Sequence, residues 1–253
     1  MIRIKKIVVF VCIALLSEGA MAFEAGQLSL DTPNVLKKGE GSFGIRHRFF
    51  GKADDYEKFL GTDDGGNMYF SLKYAVMDNL LIGLEHTRDQ SAYGFNIEYA
   101  KDFVEYGSAG IRLNTFTLDD FNFDNRQQSY FVNATYQTPN YLDHVRFTTN
   151  VGYDAYYKHN TLGIGIDINM KNNISWLTFT ENMSLLAEYY PQIDKVDGVS
   201  GQKDAFAVGI KFQTFAHHFE ILLSNSTNMD AKTMALGANN NDLHFGFNIN
   251  RKF

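Results

Sequence analysis

Period-two alternation runs from residue 43 to the last residue of the chain, and no sustained period of 3.6 interrupts it. A strand turns successive side chains to opposite faces, so this pattern predicts strands and little helix. The clearest cases are Asn67–Met77, with Met68, Phe70, Leu72, Tyr74 and Val76 on one face, and Thr161–Asn169, with Leu162, Ile164, Ile166 and Ile168. The same reading covers Phe43–Phe49, Leu80–Thr87, Ala92–Ala100, Tyr106–Thr117, Gln128–Thr138, His144–Ala155, Ala205–Gln213, His218–Ser224 and Asp242–Phe253. Ile174–Tyr190 slips phase near Glu181–Asn182, which suggests a bulge. Twelve strands result.

The connections sort by side. Met77–Asn79, Lys101–Glu105, Pro139–Asp143, Met170–Asn173 and Thr214–His217 are short, whereas Phe50–Gly66, Leu118–Gln127, Pro191–Asp204 and Asn225–Asn241 are longer. Arg88–Ser91 and Tyr156–Asn160 are short exceptions on the long side. Tight turns on one rim, larger loops on the other and an even strand count predict an all-β fold. It is a single antiparallel transmembrane β-barrel with both termini periplasmic. Closure pairs every backbone N–H and C=O and leaves no edge in hydrocarbon. A chain of mean hydropathy -0.24 can therefore still span a membrane, since only alternate residues need be apolar.

A soluble periplasmic barrel or sandwich would show the same alternation, with its apolar face inward. The other face decides. In a soluble protein it would be dominated by Lys and Glu, but here it is rich in Gly, Asn, Thr and Ser, including Gly44, Gly83, Gly94, Gly110, Gly152, Gly163, Gly165, Gly209 and Gly246. Such a face suits a confined polar interior in which small residues make room for a few long charged ones. In register these are the basic Arg46, Arg48, Lys73, Arg112, Arg146 and Lys211, and the acidic Glu85, Glu98, Asp154, Asp167, Glu188 and Glu220. A strongly selective pore would want one sign. The balance predicts ion pairs that brace or partly plug a narrow barrel, because unpaired charge there is costly. Arg46, Arg48 and Arg146 are the residues expected at a constriction, with structural ion pairing as the alternative. Tyr69, Tyr74, Tyr93, Tyr99, Tyr130, Tyr136, Tyr153 and Tyr156 lie near strand ends, either as interfacial girdles or through ordinary strand preference.

Residues 1–22 read as a secretory signal peptide. Arg3, Lys5 and Lys6 precede an apolar run, Ile7–Leu16, and Ala20-Met21-Ala22 places cleavage before Phe23. The run makes only about 15 Å of helix, too short to span. Cys12 lies inside it behind Val11, unsuited to lipidation. The whole chain of 253 residues has formal charge -6. Removing three bases and one acid with the leader takes this to −8 and leaves no Cys. Disulfides and Cys–metal sites are thereby excluded from the processed chain, and the acidic balance argues against nucleic acid as a partner. Residues 23–42 are expected as an N-terminal periplasmic segment and 43–253 as the barrel.

The chain stops at Phe253, with Leu243, Phe245, Phe247 and Ile249 on the same face. This resembles the C-terminal signature of Gram-negative outer-membrane β-barrels. The resemblance implies recognition by the barrel-assembly machinery, although Arg251 stands where an apolar residue is commoner. The stretches at 41–49 (GSFGIRHRF), 61–67 (GTDDGGN), 187–191 (AEYYP) and 243–253 (LHFGFNINRKF) are similar to a family of bacterial outer-membrane barrels of unknown function. The likeness implies location and fold, and brings no catalytic residues with it.

Motifs for chemistry are sparse. His47, His86, His144, His159, His217, His218 and His244 are scattered, and no Gly-x-Ser-x-Gly elbow accompanies them. His217-His218 falls in an expected turn. The acidic stretches 63–67 and Asp119-Asp120 with Asp124 lack calcium-loop spacing, and Gly163 and Gly165 lack the helix that a phosphate loop needs. No catalytic residue, metal or other cofactor is expected. The sequence favours a narrow, weakly selective channel or transporter for small solutes, set in outer-membrane lipid. The alternatives are a structural barrel that binds a partner through loops Phe50–Gly66 and Asn225–Asn241, and a lipid-modifying enzyme.

Overall fold

The computed structural model describes residues 26–33, 36–88, 92–103, 105–119, 126–140, 144–170, 180, 182–214 and 217–253. Twelve strands close into one antiparallel barrel. They are β1 (Gly41–Phe49), β2 (Gly66–Met77), β3 (Leu80–Thr87), β4 (Ala92–Asp102), β5 (Ser108–Asp119), β6 (Arg126–Gln137), β7 (Val145–Asp154), β8 (His159–Asn169), β9 (Asn182–Tyr190), β10 (Ala205–Gln213), β11 (His217–Ser224) and β12 (His244–Lys252). Each strand pairs with its neighbours in sequence, and β1 closes the wall against β12, from Ser42↔Lys252 to Arg48↔Gly246. The seam is finished by Gly41 and Phe253, each of whose N–H groups donates to the other's carbonyl, at 2.8 and 2.9 Å. The Phe253 ring lies over Gly41, where a Cβ would stand 2.5 Å from the ring.

The side-chain distribution is inverted relative to a water-soluble barrel. Leu72, Leu84, Phe95, Ile97, Ile111, Val151, Ile164 and Ile221 point outward and are exposed, whereas Asn96, Asn133, Asp154, Lys211 and Glu220 are buried. An unbroken apolar belt of this kind needs lipid around it. Among the described residues no helix is long and apolar enough to cross a membrane. Exposed tyrosines fall in two rows. Tyr74, Tyr99 and Tyr136 lie toward the rim of the tight turns, and Tyr93, Tyr130, Tyr153 and Tyr189 toward the rim of the larger loops, the positions favoured by amphipathic rings at a membrane boundary. Tyr69 departs from the expected girdle. It faces inward and is buried, its ring 5.3 Å from the Arg46 guanidinium.

One further expectation needs correction, and two others fall partly outside the described residues. The strand expected over Ile174–Tyr190 is observed over Asn182–Tyr190. Residues 174–179 and 181, including the expected bulge position Glu181, lie outside the described residues. The described part of β9 pairs in unbroken register with β10, and β2 carries a register shift of its own at Ala75/Met77. His217 and His218 begin β11 rather than a turn, because His217↔Arg251 and His218↔Asn250 already pair with β12. His217 stacks outward on Phe219, while His218 is buried inward. The acidic positions 120–124 lie outside the described residues.

The rims differ in kind. Loops 50–65, 191–204 and 225–243 share one rim, and turns 78–79 and 214–216 share the other, where β1 starts and β12 ends. The longest loop contains a short helix, α1 (Ala231–Met234), capped by the Asp230 carboxylate, which accepts from Thr233 N–H at 2.8 Å.

Candidate functional site: a filled polar lumen

The described residues before β1 do not hang below the barrel as a periplasmic segment. At the turn rim Leu36 packs on the inward-facing Ala75 and Leu81, and its carbonyl accepts from Asn79 N–H at 3.1 Å. Residues 26–32 then fold back on themselves inside the lumen. Gly26, at φ +79°, donates from its N–H to Thr32 Oγ1 at 2.8 Å, and Gln27 N–H reaches Leu30 O at 3.2 Å. Leu28 fills a patch formed by Leu186, Ala207 and Leu222, while Leu30 joins Tyr190, Ala205, Ala231 and Met234.

The interior glycines now have a reason. A Cβ on Gly165 would stand 2.5 Å from Leu30 Cδ1, one on Gly163 2.6 Å from Leu30 Cδ2, and one on Gly209 2.9 Å from Leu28 Cδ2. Their missing side chains make the space these leucines occupy.

Polar contacts account for the backbone of the inserted segment. The Glu188 carboxylate accepts from Ser29 N–H at 2.9 Å and Leu30 N–H at 3.1 Å. Leu28 O accepts from Arg48 at 2.9 Å and from Asn248 at 2.8 Å, and Ser29 O from Arg46 at 3.2 Å. Asn150 receives Asp31 N–H at 2.9 Å and donates to Asp31 O at 2.8 Å. One Asp31 carboxylate oxygen takes Arg112 at 2.8 Å, and the other takes Asn133 Nδ2 at 2.9 Å.

From the opposite rim, residues 225–238 descend to meet this segment. Residues 231–238 are all buried, Arg46 donates to Met229 O at 2.5 Å, and Lys232 Nζ lies 3.7 Å from the Phe116 ring centroid. Loop 191–204 ties the descent down. Gln192 donates to Leu236 O at 2.7 Å and Gly201 O at 3.0 Å, and Lys203 bridges Ala238. Tyr189 O–H and Gln192 N–H both donate to Asp204, and these bonds hold its carboxyl below the usual range. Two polar cavities of about 30 Å³ remain, both bordered by Asp31, Tyr69 and Arg112. Each has room for about one water.

All twelve charged residues expected inside lie on the inward face, and several are paired. Lys73 meets Glu98 at 2.8 Å, Arg112 meets Glu85, and Asp167 receives Lys211 at 2.6 Å and Arg146 at 3.0 Å. Glu220 accepts from Asn248 at 2.5 Å, and Asp154 from Tyr156 N–H at 2.8 Å. Arg46 and Arg48 come together on the inserted segment. Arg146 does not join them, since it sits on Asp167 near the turn rim with its side chain 22% exposed. The expected constriction of three arginines is replaced by chain.

The charges are also sorted by side. Strands β1 to β5 carry Arg46, Arg48, Lys73 and Arg112 against Glu85 and Glu98, formally two positive charges in excess. Strands β7 to β12 carry Asp154, Asp167, Glu188 and Glu220 against Arg146 and Lys211, two negative in excess once Lys252 at the turn rim is set against its partner Glu40. The inserted segment obeys this polarity. The Ser29 and Leu30 N–H groups face Glu188, whereas the Leu28 and Ser29 carbonyls face Arg48 and Arg46 and the Asp31 carboxylate faces Arg112.

The C-terminal signature residues Leu243, Phe245, Phe247 and Ile249 are half-buried and Phe253 is exposed. Arg251, between them, is buried opposite Phe43 and His217.

Among curated proteins none matches the chain. Two similar solved structures are a KdgM porin and CdiB from Acinetobacter baumannii. The first has 11% identity and a TM-score of 0.47, covering 84% of this chain and 99% of the porin. The second has 9% identity and a TM-score of 0.39, covering 86% of this chain and 60% of CdiB. Residues 23–253 match the family profile described as "Membrane bound beta barrel domain (DUF5777)", and the chain belongs to that family.

Proposed function

We propose that this barrel is a small-solute channel of the bacterial outer membrane, held shut by its own residues 26–32 and by loop 225–238. The supporting observation is how the lumen is filled. A purely structural barrel of this size could be packed with wall side chains. Here the wall keeps glycines and charged groups, and the filling comes from residues 26–32, attached at one rim, and from loop 225–238, attached at the other. That segment is bound largely through hydrogen bonds that water or a polar solute can replace.

In this reading the tight turns face the periplasm, the leader directs export, the C-terminal strand is read by the assembly machinery, and the barrel has no catalytic role. Planar-bilayer recordings test it. The refolded full chain should stay silent for long periods. Leu30→Asp, which sets a carboxylate among Tyr190, Ala205, Ala231 and Met234, should give frequent discrete steps. Silence in both, with the barrel folded, refutes the channel.

A second reading, a barrel that binds a partner through its outer loops, is favoured by loop 50–65. It presents Tyr56, 81% exposed, and Phe59, 75% exposed, beyond the barrel wall. Removing residues 52–61 should then abolish capture of the partner while leaving the barrel folded.

A further inference from the structure

We propose that the lumen contains a carboxylate-binding subsite, built by Arg112 and Asn133, which Asp31 occupies as an internal ligand. Small carboxylate-bearing solutes are then the class this barrel recognises, competing with Asp31 for the same donors. The part concerning solute passage rests on the channel reading above, whereas the subsite does not.

The two oxygens of Asp31 are taken by donors from different strands, Arg112 Nη1 on β5 at 2.8 Å and Asn133 Nδ2 on β6 at 2.9 Å. Asn133 and Arg112 face each other across the β5–β6 ladder, so the pair is set by the wall and does not depend on the inserted segment. Glu85 is already committed, since it pairs with Arg112 and also accepts from Asn96 at 2.9 Å and Asn114 at 2.7 Å. With Asp31 gone, the half-wall β1 to β5 keeps its excess of positive charge in a confined space, an arrangement that draws in an anion.

The site also has capacity to spare. Arg112 is buried, yet its Nε has no hydrogen-bond partner among the described residues. The two small cavities both border Asp31 and Arg112. A buried guanidinium that borders two cavities has room for a carboxylate somewhat larger than the side chain it now holds, and hydrogen bonds between a guanidinium and a carboxylate are among the strong ones a side chain makes. Asp31 itself belongs to no strand.

The test removes the internal ligand and supplies it from solution. In the full-length chain, Asp31→Ala should expose residues 26–33 to protease. Sodium acetate should protect them again, with sodium chloride at matched ionic strength as the control. The expected result is about tenfold slower cleavage in acetate than in chloride, the scale of one charge-assisted hydrogen-bonded contact. This difference should vanish when Asp31→Ala is combined with Asn133→Leu, or with Arg112→Gln where that variant folds. Equal effects of acetate and chloride, no protection by either, or protection that survives the Asn133 change overturns the subsite. Bilayer recordings of the unaltered chain in the same salts give a separate readout. Openings more frequent in acetate support competition with Asp31. Equal openings in the two salts, alongside acetate protection of Asp31→Ala, leave the subsite standing and overturn its link to passage.

Discussion

Gly165→Val should open the barrel without unmaking it. The position lies inside β8, where valine suits strand conformation better than glycine. The added Cβ meets the wall at ordinary range, 3.4 Å from Ala187 O, but stands 2.5 Å from Leu30 Cδ1 and closer still to Gln27 Oε1. The wall can keep its ladder while Leu30 cannot keep its place. Losing the burial of one leucine forfeits roughly 1.5–3 kcal/mol. At about 1.4 kcal/mol per factor of ten, the ratio of shut to open lumen falls about tenfold to a hundredfold. Two measurements on refolded protein read this out: the open probability in bilayers, and the rate at which protease cuts within residues 26–33. Gly94→Ala serves as control, since the atoms nearest its Cβ belong to the Asn114 side chain on the wall and not to the inserted segment. If Gly165→Val folds, as judged by circular dichroism and gel mobility, and changes neither quantity relative to Gly94→Ala, the segment does not occupy the lumen as described.

Other consequences follow from the same geometry. Glu188→Gln replaces a charged acceptor of two backbone amides with a neutral one, and amide exchange at Ser29 and Leu30 should quicken about tenfold; unchanged exchange would count against that clamp. Gly41→Val drives a side chain into the Phe253 ring at the seam, and overpacking of about 1–3 kcal/mol should lower the urea midpoint, whereas an unaltered midpoint would show the seam to be loose. Asp204 has a lowered pKa, chiefly through the Tyr189 hydroxyl and then Gln192 N–H. Its support is therefore complete above the unfolded value near 3.9 and is lost as pH falls through the lowered folded value. Amide protection in 191–204, measured against the intrinsic exchange rate at each pH, should stay flat down to about pH 4 and fall below it, with Asp204→Asn reproducing the loss at neutral pH; an acid-insensitive loop would refute the linkage.

Much of the wall was legible because its signal is local. Alternation in Leu80–Thr87 or Ala205–Gln213 reports burial residue by residue, and the strands end where the pattern does. The charged lumen positions followed from the same phase. What fills the lumen was not legible. Residues 26–32 find their partners at Arg48, Arg112, Asn150, Glu188 and Asn248, all at least 20 residues away in sequence, and nothing within the heptapeptide announces them. Two clues were nevertheless present. Leu186 and Leu222 are apolar on the polar face, which makes sense only if something apolar enters. Met229, Ala231, Met234, Ala235, Leu236 and Ala238 are buried, a composition poorly suited to a loop facing water.

The seam between Gly41 and Phe253 has a consequence for the order of events in biogenesis. β1 finds its second neighbour only when β12 is in place, so the cylinder stays an open sheet until the twelfth strand has paired. Residues 26–32 precede β1 and finish enclosed. The simplest history lays them against the growing sheet first and curls the remaining hairpins around them, so that the stopper is built in during manufacture.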